Sequence, residues 1–281
     1  MSPKILPLPR GAPLRLDARP LVMGILNVTP DSFSDGGRHD DEARAVAHGL
    51  ALVDEGADIL DIGGESTRPG HRPVDAADEI ARVEPVIRAL AQRTATPISI
   101  DTMKAQVAAR AMAAGAAIIN DVWGFQRDPD IARVAADTGA LAIVMHNRET
   151  EDPGVDIVAE VRDFLSRSID IALAAGVARD RIVIDPGFGF GKTHEQSLRL
   201  VTELASIAAL GFPVLLGASR KRSIGRVTGR DDPMQRLHGS LALAVVGAMN
   251  GADILRAHDV APHLDAMKMV AALHAQHKAR P

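Results

Sequence analysis

The feature that most constrains the fold is an end-to-end alternation of short apolar runs with longer amphipathic stretches. The apolar runs are rich in Val, Ile and Leu, which is typical of strands buried on both faces. They lie at 21–26, 59–62, 97–100, 117–119, 141–145, 181–184, 213–216 and 254–255. Helix-like stretches follow at 43–53, 76–91, 105–114, 132–136, around 161–169, 196–209, 237–248 and 264–273. Such alternation predicts parallel strands connected by helices.

A weak internal repeat supports a count of eight strand–helix units. The segments 56–60, 115–119 and 251–255 each read Gly-Ala followed by a short apolar run, with Gly where a helix should end. Eight such units favour an α/β fold with a single (β/α)8 TIM barrel, with a doubly wound open sheet as the alternative. We expect an N-terminal extension at 1–17, one catalytic barrel domain at 18–276, and a C-terminal tail at 277–281.

Composition narrows the possible functions. The chain has 281 residues, of which 46% are hydrophobic and 24% charged, an ordinary balance for a globular protein. A net charge of −4 and the absence of Tyr argue against a nucleic-acid surface. The lack of Cys excludes disulfides and thiolate chemistry. Neither a signal peptide nor a membrane span is predicted. We therefore expect a cytoplasmic protein that binds small molecules, with no nucleic-acid or membrane partner.

Polar residues occupy the predicted end of every strand, which is where the catalytic residues of a TIM barrel gather. Helix caps and loop contacts would place some polar residues there in any case. A polar residue at all eight ends favours an active site. These residues are Asn27, Asp61, Asp101, Asn120-Asp121, His146, Asp185, Ser219-Arg220-Lys221 and Arg256-x-His258.

The stretch after the sixth strand, Asp185-Pro-Gly-Phe-Gly-Phe-Gly-Lys-Thr193, is typical of a ligand site. Its alternating glycines permit positive φ or a close approach of the backbone to a ligand. Gly191-Lys192-Thr193 resembles the end of a phosphate-binding P-loop, but Pro186 occupies the position of that motif's first Gly. Asp185 alone could be a helix cap; three glycines alternating with two phenylalanines favour a binding loop.

The chemistry of these residues divides into three groups. Asp101, Asn120 and Asp185 suit a flat heterocycle with an amide and an exocyclic amine, whose buried donors need acceptors. The cationic residues, with His258, suit phosphate or pyrophosphate; they are Arg220, Lys221 and Arg256. Asn27 could contribute a neutral oxygen to Mg²⁺.

Two polar, Gly-bounded loops, at 28–37 and 63–70, form the third group. We expect them to act as lids over the site, since long loops without regular structure often do. Phe33, placed in a loop that should face solvent, suggests an apolar ligand to cover.

Together these residues resemble dihydropteroate synthase of folate biosynthesis over nearly the whole chain, from about Leu21 to Val270. The motifs that carry the resemblance are 27–37, 61–70, Ser99-Ile-Asp-Thr102, Ile119-Asn-Asp-Val122, 185–192, Ser219-Arg-Lys221 and Arg256-x-His258. The resemblance implies a pterin-binding barrel that joins 6-hydroxymethyl-7,8-dihydropterin diphosphate to p-aminobenzoate and releases pyrophosphate by a Mg²⁺-assisted dissociative substitution. It also implies a homodimer that is a sulfonamide target. Because no pterin pyrophosphokinase segment precedes the barrel, we expect a monofunctional chain.

The resemblance also implies roles for individual residues. Lys221, Arg256, His258 and Asp35 would be catalytic. The pterin would contact Asp101, Asn120, Asp185, Lys221, Met145, Phe190 and Gly217. The p-aminobenzoate pocket, where sulfonamides compete, would be lined by Phe33, Thr67, Arg68, Pro69 and Ser219. Pyrophosphate would contact Asn27, Thr67, Arg256 and His258, with Mg²⁺ at Asn27.

Three alternatives remain at this point. Lys221 could form a Schiff base, as in barrel aldolases, although an aromatic ring and phosphate as ligands make this a minor possibility. A methyltetrahydrofolate–corrinoid methyltransferase would share the pterin-holding residues but would not need the Thr67-Arg68-Pro69 and Ser219-Arg220-Lys221 motifs. A non-catalytic pterin-binding paralogue should have lost residues from the lids or the pyrophosphate site, and none is missing.

Overall fold

The computed structural model describes residues 4–29, 38–65 and 73–278. In this part of the chain, eight parallel strands form one sheet in the order β9-β10-β3-β4-β5-β6-β7-β8. They are β3 (Leu21–Asn27), β4 (Ile59–Gly63), β5 (Ile98–Asp101), β6 (Ile118–Asp121), β7 (Leu141–Met145), β8 (Ile182–Asp185), β9 (Leu215–Leu216) and β10 (Ile254–Ala257). Ile184 bridges to Val214 and so joins the two ends of the sheet. The predicted α/β TIM barrel is confirmed.

Helices follow the strands and form the outer layer. They are α1 (Arg38–Asp54), α2 (Ala76–Ala91), α3 (Ala105–Ala114), α4 (Asp130–Thr138), α5 (Ile157–Ala174), α6 (His194–Thr202), α7 (Leu204–Ala208), α8 (Arg222–Thr228), α9 (Leu237–Met249) and α10 (Val260–Lys278). The repeated glycines end helices as predicted, with positive φ at Gly56, Gly115 and Gly251. Among the described residues, no helix combines the length and apolar character needed to cross a membrane.

The structure differs from the sequence prediction in three places. The sixth helix is broken at Glu203 into α6 and α7. A further helix, α8, follows Lys221. Near the N-terminus, β1 (Ile5–Leu6) and β2 (Leu14–Arg15) form an antiparallel hairpin. Two-residue strands are too short to leave a periodic signal in the sequence.

The hydrophobic core has two layers separated by the barrel wall. Alternate strand residues face outward and pack under the helices, as Val22, Ile100 and Ile184 do. The other residues face inward and fill the barrel interior, as Met23, Ile118 and Val183 do. Leu6 and Leu14 of the hairpin join the interior cluster. Because these leucines pack with residues at the starts of the strands, the hairpin seals the amino-terminal end of the barrel.

Strand register places polar residues at the opposite end. Asn27 lies opposite Gly63, Gly63 opposite Asp101, and Asp101 opposite Asn120, so four neighbouring strands end at one level. Met145 lies opposite Asp185 on the far side of the barrel. Side chains alternate along each strand, and these residues lie at the same alternate positions as the apolar residues of the barrel interior. Their side chains therefore also face the interior. The carboxyl end of the barrel is therefore a polar, inward-facing rim.

Candidate active site

The centre of the rim is a shared ion pair. Arg256, on β10, donates from Nε to Asp61 Oδ2 at 2.6 Å and from Nη2 to Asp101 Oδ2 at 2.8 Å. Asn120 Nδ2 also donates to Asp61 Oδ2, at 3.2 Å. The second oxygens of Asp61 and Asp101 are buried and have no hydrogen-bond partner in the described structure. The site therefore holds acceptors in excess of its donors.

Burial sets the charge state of these groups. Desolvation raises the pKa of Asp101 to about 7, although the Arg256 guanidinium opposes this shift. Burial alone would lower the pKa of Arg256, but Asp61 and Asp101 more than offset that effect and the pKa is raised. Arg256 therefore stays charged, while Asp101 changes its charge near neutral pH. A carboxylate with such a raised pKa gains strongly from a paired donor on a ligand.

The glycine loop, residues 186–193, forms the side of the site next to β8. Asp185 closes its first turn by accepting from the Gly187 N–H at 2.7 Å through Oδ1. Burial raises the pKa of Asp185, against the effects of this N–H and of Lys221. Gly187, Gly189 and Gly191 all have positive φ, as the alternating glycines suggested. Asp185 is thus both a turn residue and a candidate acceptor.

Lys221 lies across from this loop, just before α8. Its Nζ donates to the Phe188 carbonyl and lies 4.2 Å from the centroid of the Phe190 ring. Burial lowers the pKa of Lys221 to about 7, a shift that Asp185 opposes and Arg256 reinforces. Lys221 thus faces an aromatic ring that could stack on a flat ligand.

Ser219 and His258 form a further contact on the rim. Ser219 Oγ lies 3.0 Å from His258 Nδ1 and accepts from the His258 backbone N–H at 3.2 Å. Gly217, two residues before Ser219, has room for close approach: a Cβ built there would lie 3.7 Å from Arg256 Cβ and 4.0 Å from Asp185 Oδ2. The ends of β8, β9 and β10 therefore converge on one space.

The site joins residues that are far apart in sequence. Asn27 and Met145 lie at the ends of their strands. All the predicted site residues that the structure describes lie on the rim or in its loops. Those residues are Asn27, Asp101, Asn120, Met145, Asp185, Phe190, Gly217, Ser219, Lys221, Arg256 and His258.

The chain matches the family model for pterin-binding enzymes over residues 23–258. It is 47% identical over 253 residues to a dihydropteroate synthase of Clostridium beijerinckii, covering 89% of this chain and 93% of that protein. The chain belongs to the dihydropteroate synthase family. It is an enzyme, a transferase.

Solved structures of this family agree in fold. The dihydropteroate synthase of Xanthomonas albilineans with 4-aminobenzoic acid is 49% identical and has a TM-score of 0.89, with 96% of each chain covered. The same organism's synthase in complex with 7,8-dihydropteroate is 47% identical, with a TM-score of 0.85 and coverage of 96% and 97%. The resemblance to dihydropteroate synthase is therefore confirmed.

Five predicted site residues lie outside the described residues, in the two loops expected to be lids. They are Phe33, Asp35, Thr67, Arg68 and Pro69. Their predicted roles stay predictions, as does the lid function of both loops.

Arg220, predicted among the phosphate-binding cations, has a partner within the protein. It pairs with Asp259 through both Nε, at 2.9 Å, and Nη2, and its phosphate-binding role stays a prediction. Its backbone has φ of +57° and its N–H donates to Ser240 Oγ at 2.9 Å. Arg220 therefore holds the loop between Ser219 and Lys221 in place.

Sequence reasoning assigned no role to two groups that the structure places at the site. Asp61 was noted only as a strand-end residue, yet it is fully buried and binds Arg256. His146 is also fully buried and contacts Lys192 beneath the glycine loop. The alternation of side chains along the strand could have indicated the position of Asp61. It lies two residues after Ile59, which faces the barrel interior, so its side chain must also face inward.

Proposed function

We propose that this enzyme joins 6-hydroxymethyl-7,8-dihydropterin diphosphate to p-aminobenzoate, yielding 7,8-dihydropteroate and pyrophosphate. The observation that carries the proposal is the pocket in which Asp101, Asn120 and Asp185 face Lys221 and Arg256. The acceptors suit the N–H groups of a pterin, and the cations beside them suit a diphosphate. The family's structures with 4-aminobenzoic acid and with 7,8-dihydropteroate support p-aminobenzoate as one substrate and 7,8-dihydropteroate as the product.

The pterin end is held by acceptors and an aromatic face. Asp101 and Asp185 would accept from the ring N–H and exocyclic amine, and Asn120 would pair through its remaining oxygen. Phe190 would stack on the ring, with Met145 and Gly217 bounding the pocket. Because Asp101 Oδ1 is buried without a partner, its pairing with a ligand donor would remove an unpaired acceptor that is unfavourable in the empty site.

The diphosphate end is held by cations that stabilise the leaving group. Arg256, His258 and Lys221 would take up charge as the C–O bond between the pterin methylene and the diphosphate breaks and the electron pair departs with pyrophosphate. The resulting cation is delocalised over the dihydropterin, so that no enzyme nucleophile is needed. The arylamine nitrogen then attacks the methylene carbon and loses a proton.

The donor set of the rim fits a Mg²⁺ that depends mainly on substrate oxygens. Asn27 lies half-buried on the inward-facing rim and offers one neutral oxygen. Within the side chains that the structure describes, no group of three or more His, Asp or Glu could hold a metal. Mg²⁺ commonly takes one or two protein ligands and completes its shell with phosphate oxygens and water. When bound, it would neutralise charge on the leaving pyrophosphate.

The p-aminobenzoate end involves Ser219 and the two loops. Phe33, Arg68 and Pro69 would enclose the arylamine, Thr67 would contact both it and pyrophosphate, and Asp35 would act in the first loop. Closure over the site would exclude water, which otherwise competes with the arylamine for the cation. A sulfonamide should compete at this pocket because it resembles p-aminobenzoate.

Two broader properties complete the proposal. A homodimer is supported by exposed apolar side chains on the neighbouring helices α9 and α10, among them Met249 and Met269. A cytoplasmic location is supported by the absence of Cys and by substrates that are intracellular metabolites in the implied pathway.

The test is pyrophosphate release from the pterin diphosphate, with and without p-aminobenzoate, in Mg²⁺ and in EDTA. We expect Mg²⁺-dependent release with formation of dihydropteroate, and loss of both in Asn27→Ala and Lys221→Ala. Lys268→Ala, an exposed lysine on α10, is the matched control and should retain activity. Pterin binding without release in wild type would overturn the proposal and favour a binding paralogue.

A further inference from the structure

Lys192 is a residue of the glycine loop whose side chain is buried beneath the backbone of that loop. It has no part in the reaction proposed above. Lys192 is only 4% exposed. Its Nζ lies 2.8 Å from the Gly187 carbonyl, 3.0 Å from the Phe190 carbonyl and 2.7 Å from His146 Nδ1. One amine therefore joins both halves of the glycine loop to the end of β7.

The His146 ring makes its polar contact with Lys192 through Nδ1. Its Nε2 is buried without a hydrogen-bond partner, and Glu160 Oε1 lies 3.5 Å away. Burial lowers the pKa of His146 to about 2, so the ring is neutral. Lys192 Nζ therefore has three polar neighbours: two backbone carbonyls, which accept from it, and Nδ1 of a neutral imidazole. Burial and the nearby Lys221 lower the pKa of Lys192 well below its usual value, against the effect of Asp185.

The glycine loop approaches the backbone of residues 146–148 so closely that it has little freedom. A Cβ on Gly187 would lie 1.9 Å from the His146 carbonyl oxygen, and one on Gly191 would lie 2.2 Å from the Arg148 carbonyl oxygen. Arg148 secures the far end of the loop, donating to the Gly191 carbonyl and, at 2.9 Å, to Glu160. The glycine loop is thus fixed by two basic side chains, Lys192 and Arg148, of which Lys192 contacts the carbonyl of Phe190.

The part of the loop that Lys192 fixes is the part that contacts Lys221. The carbonyls of Gly187 and Phe190, which accept from Lys192, flank Phe188, whose carbonyl accepts from Lys221. The Phe190 ring lies 4.2 Å from Lys221 Nζ. A shift of the loop would therefore move both the aromatic face and the backbone acceptor of Lys221.

We propose that Lys192, held by His146, is a positioning residue for the pterin: it fixes the Phe190 ring and the Phe188 carbonyl so that the ring and Lys221 meet the pterin together. The inference rests on the proposed function in assuming that a pterin occupies this pocket. Lys192 does not touch the substrate; it acts through Phe190 and Lys221.

The experiment measures pterin binding separately from turnover. Calorimetric titration with 6-hydroxymethylpterin gives the affinity, and steady-state assays give KM for each substrate. In Lys192→Met, we expect pterin affinity to fall and the KM for pterin diphosphate to rise by about 100-fold, because misplacement by about 1 Å can have an effect of this size. The KM for p-aminobenzoate should stay within about 2-fold, because the hydrogen bonds of the Lys192 side chain go to His146, Gly187 and Phe190 and none goes to Ser219. Lys268→Met should match wild type in every measurement.

A double-mutant cycle with Phe190→Leu separates positioning from general loss of structure. If Lys192 acts through Phe190, the loss caused by Lys192→Met should shrink at least several-fold in the Phe190→Leu background. His146→Gln, which removes one anchor of Lys192, should weaken pterin binding in the same direction and serves if Lys192→Met does not fold. Wild-type affinity in Lys192→Met or His146→Gln, or independent effects in the cycle, would overturn the inference. A wild-type protein that binds the pterin without forming dihydropteroate would instead contradict the proposed function, and the binding comparison would still decide the role of Lys192.

Discussion

At the scale of single residues, the site depends on an arginine shared by two buried carboxylates. Asp61 is fully buried, and one of its oxygens accepts from both Arg256 and Asn120. The Arg256 side chain is 20% exposed, so it can also reach a ligand from this position. Asp61 therefore orients two residues that the family resemblance assigns to substrate binding, while its own side chain is inaccessible.

Asp61→Asn tests this orienting role. Removing one partner from a buried ion pair leaves the other poorly compensated, and we expect a loss of about 3 kcal/mol in the free energy of unfolding. Urea denaturation measures this loss. Asp265→Asn is the matched control, since Asp265 pairs with Lys268 on the surface of α10 and should contribute no more than about 1 kcal/mol. Equal losses in the two variants would show that the burial of Asp61 has no energetic consequence.

Asp101 should make the stability of the ligand-free protein depend on pH. Burial raises its pKa from 3.8 to about 7, so between these values the folded state binds more protons than the unfolded state. The free energy of unfolding must then fall as pH rises through this window, by at most about 4 kcal/mol. Asp101→Asn lacks this titration. We measure the free energy of unfolding by urea denaturation from pH 4.5 to 8. The value for Asp101→Asn minus the value for wild type should increase up to about pH 7 and stay constant above it.

The same variant, Asp101→Asn, also tests whether Asp101 contributes to pterin binding. Asp101→Asn should bind 6-hydroxymethylpterin more weakly than wild type at pH 8, because the amide replaces a carboxylate acceptor with a group that is half donor. A stability difference between the variants that does not change with pH would contradict the raised pKa. The two results together would show that Asp101 lowers stability in the empty site and serves binding.

At the scale of elements, periodicity predicted the barrel and the direction of its side chains, but not the contacts between loops. Alternation by two residues places Asp101 and Asp185 inward as soon as the strands are known. The pairing of Lys192 with His146 depends on how two loops approach each other across 46 residues. No local pattern encodes that approach. The P-loop spacing that Gly191-Lys192-Thr193 partly matches, and that Pro186 breaks, gives no indication of a backbone anchor.

Gly187→Ala tests how far the glycine loop depends on close backbone approach. The new Cβ would lie 1.9 Å from the His146 carbonyl oxygen, so the loop must move. Gly229 offers a matched control, because its φ of +68° nearly equals the +67° of Gly187 and nothing lies within 4 Å of its Cβ position. Gly229→Ala should lose about 1 kcal/mol from backbone strain alone.

Gly187→Ala should lose at least about 2 kcal/mol more than this control, together with most of its affinity for 6-hydroxymethylpterin. Thermal or urea denaturation gives the first quantity and calorimetric titration the second. If both alanine variants lost the same stability and bound the pterin alike, φ would be the whole reason for glycine at position 187. The close contact between Gly187 and the His146 carbonyl would then contribute to neither stability nor pterin binding.

At the scale of the whole molecule, the barrel separates its stabilising end from its reactive end. The N-terminal hairpin and the apolar interior close one end, where Leu6 and Leu14 are buried. The unpaired acceptors of Asp61 and Asp101 lie at the other end, beside residues as distant in sequence as Arg256. The sequence motifs identified nearly every described member of the site; what they could not show is which member binds which, since Arg256 and Asp61 are 195 residues apart.

Assembly into a homodimer is the prediction that involves the molecule as a whole. Val246 and Met249 on α9, with Met269 and Leu273 on α10, are 41–63% exposed on two neighbouring helices. Large apolar side chains grouped in this way are typical of an interface. We expect size-exclusion chromatography with light scattering to give twice the 29.7 kDa chain mass for wild type. Met269→Asp should shift the protein to monomer, because a buried unpaired carboxylate is strongly unfavourable. Leu173→Asp, on α5, should remain dimeric. A wild-type monomer, or an unchanged mass in Met269→Asp, would show that this face is not the interface.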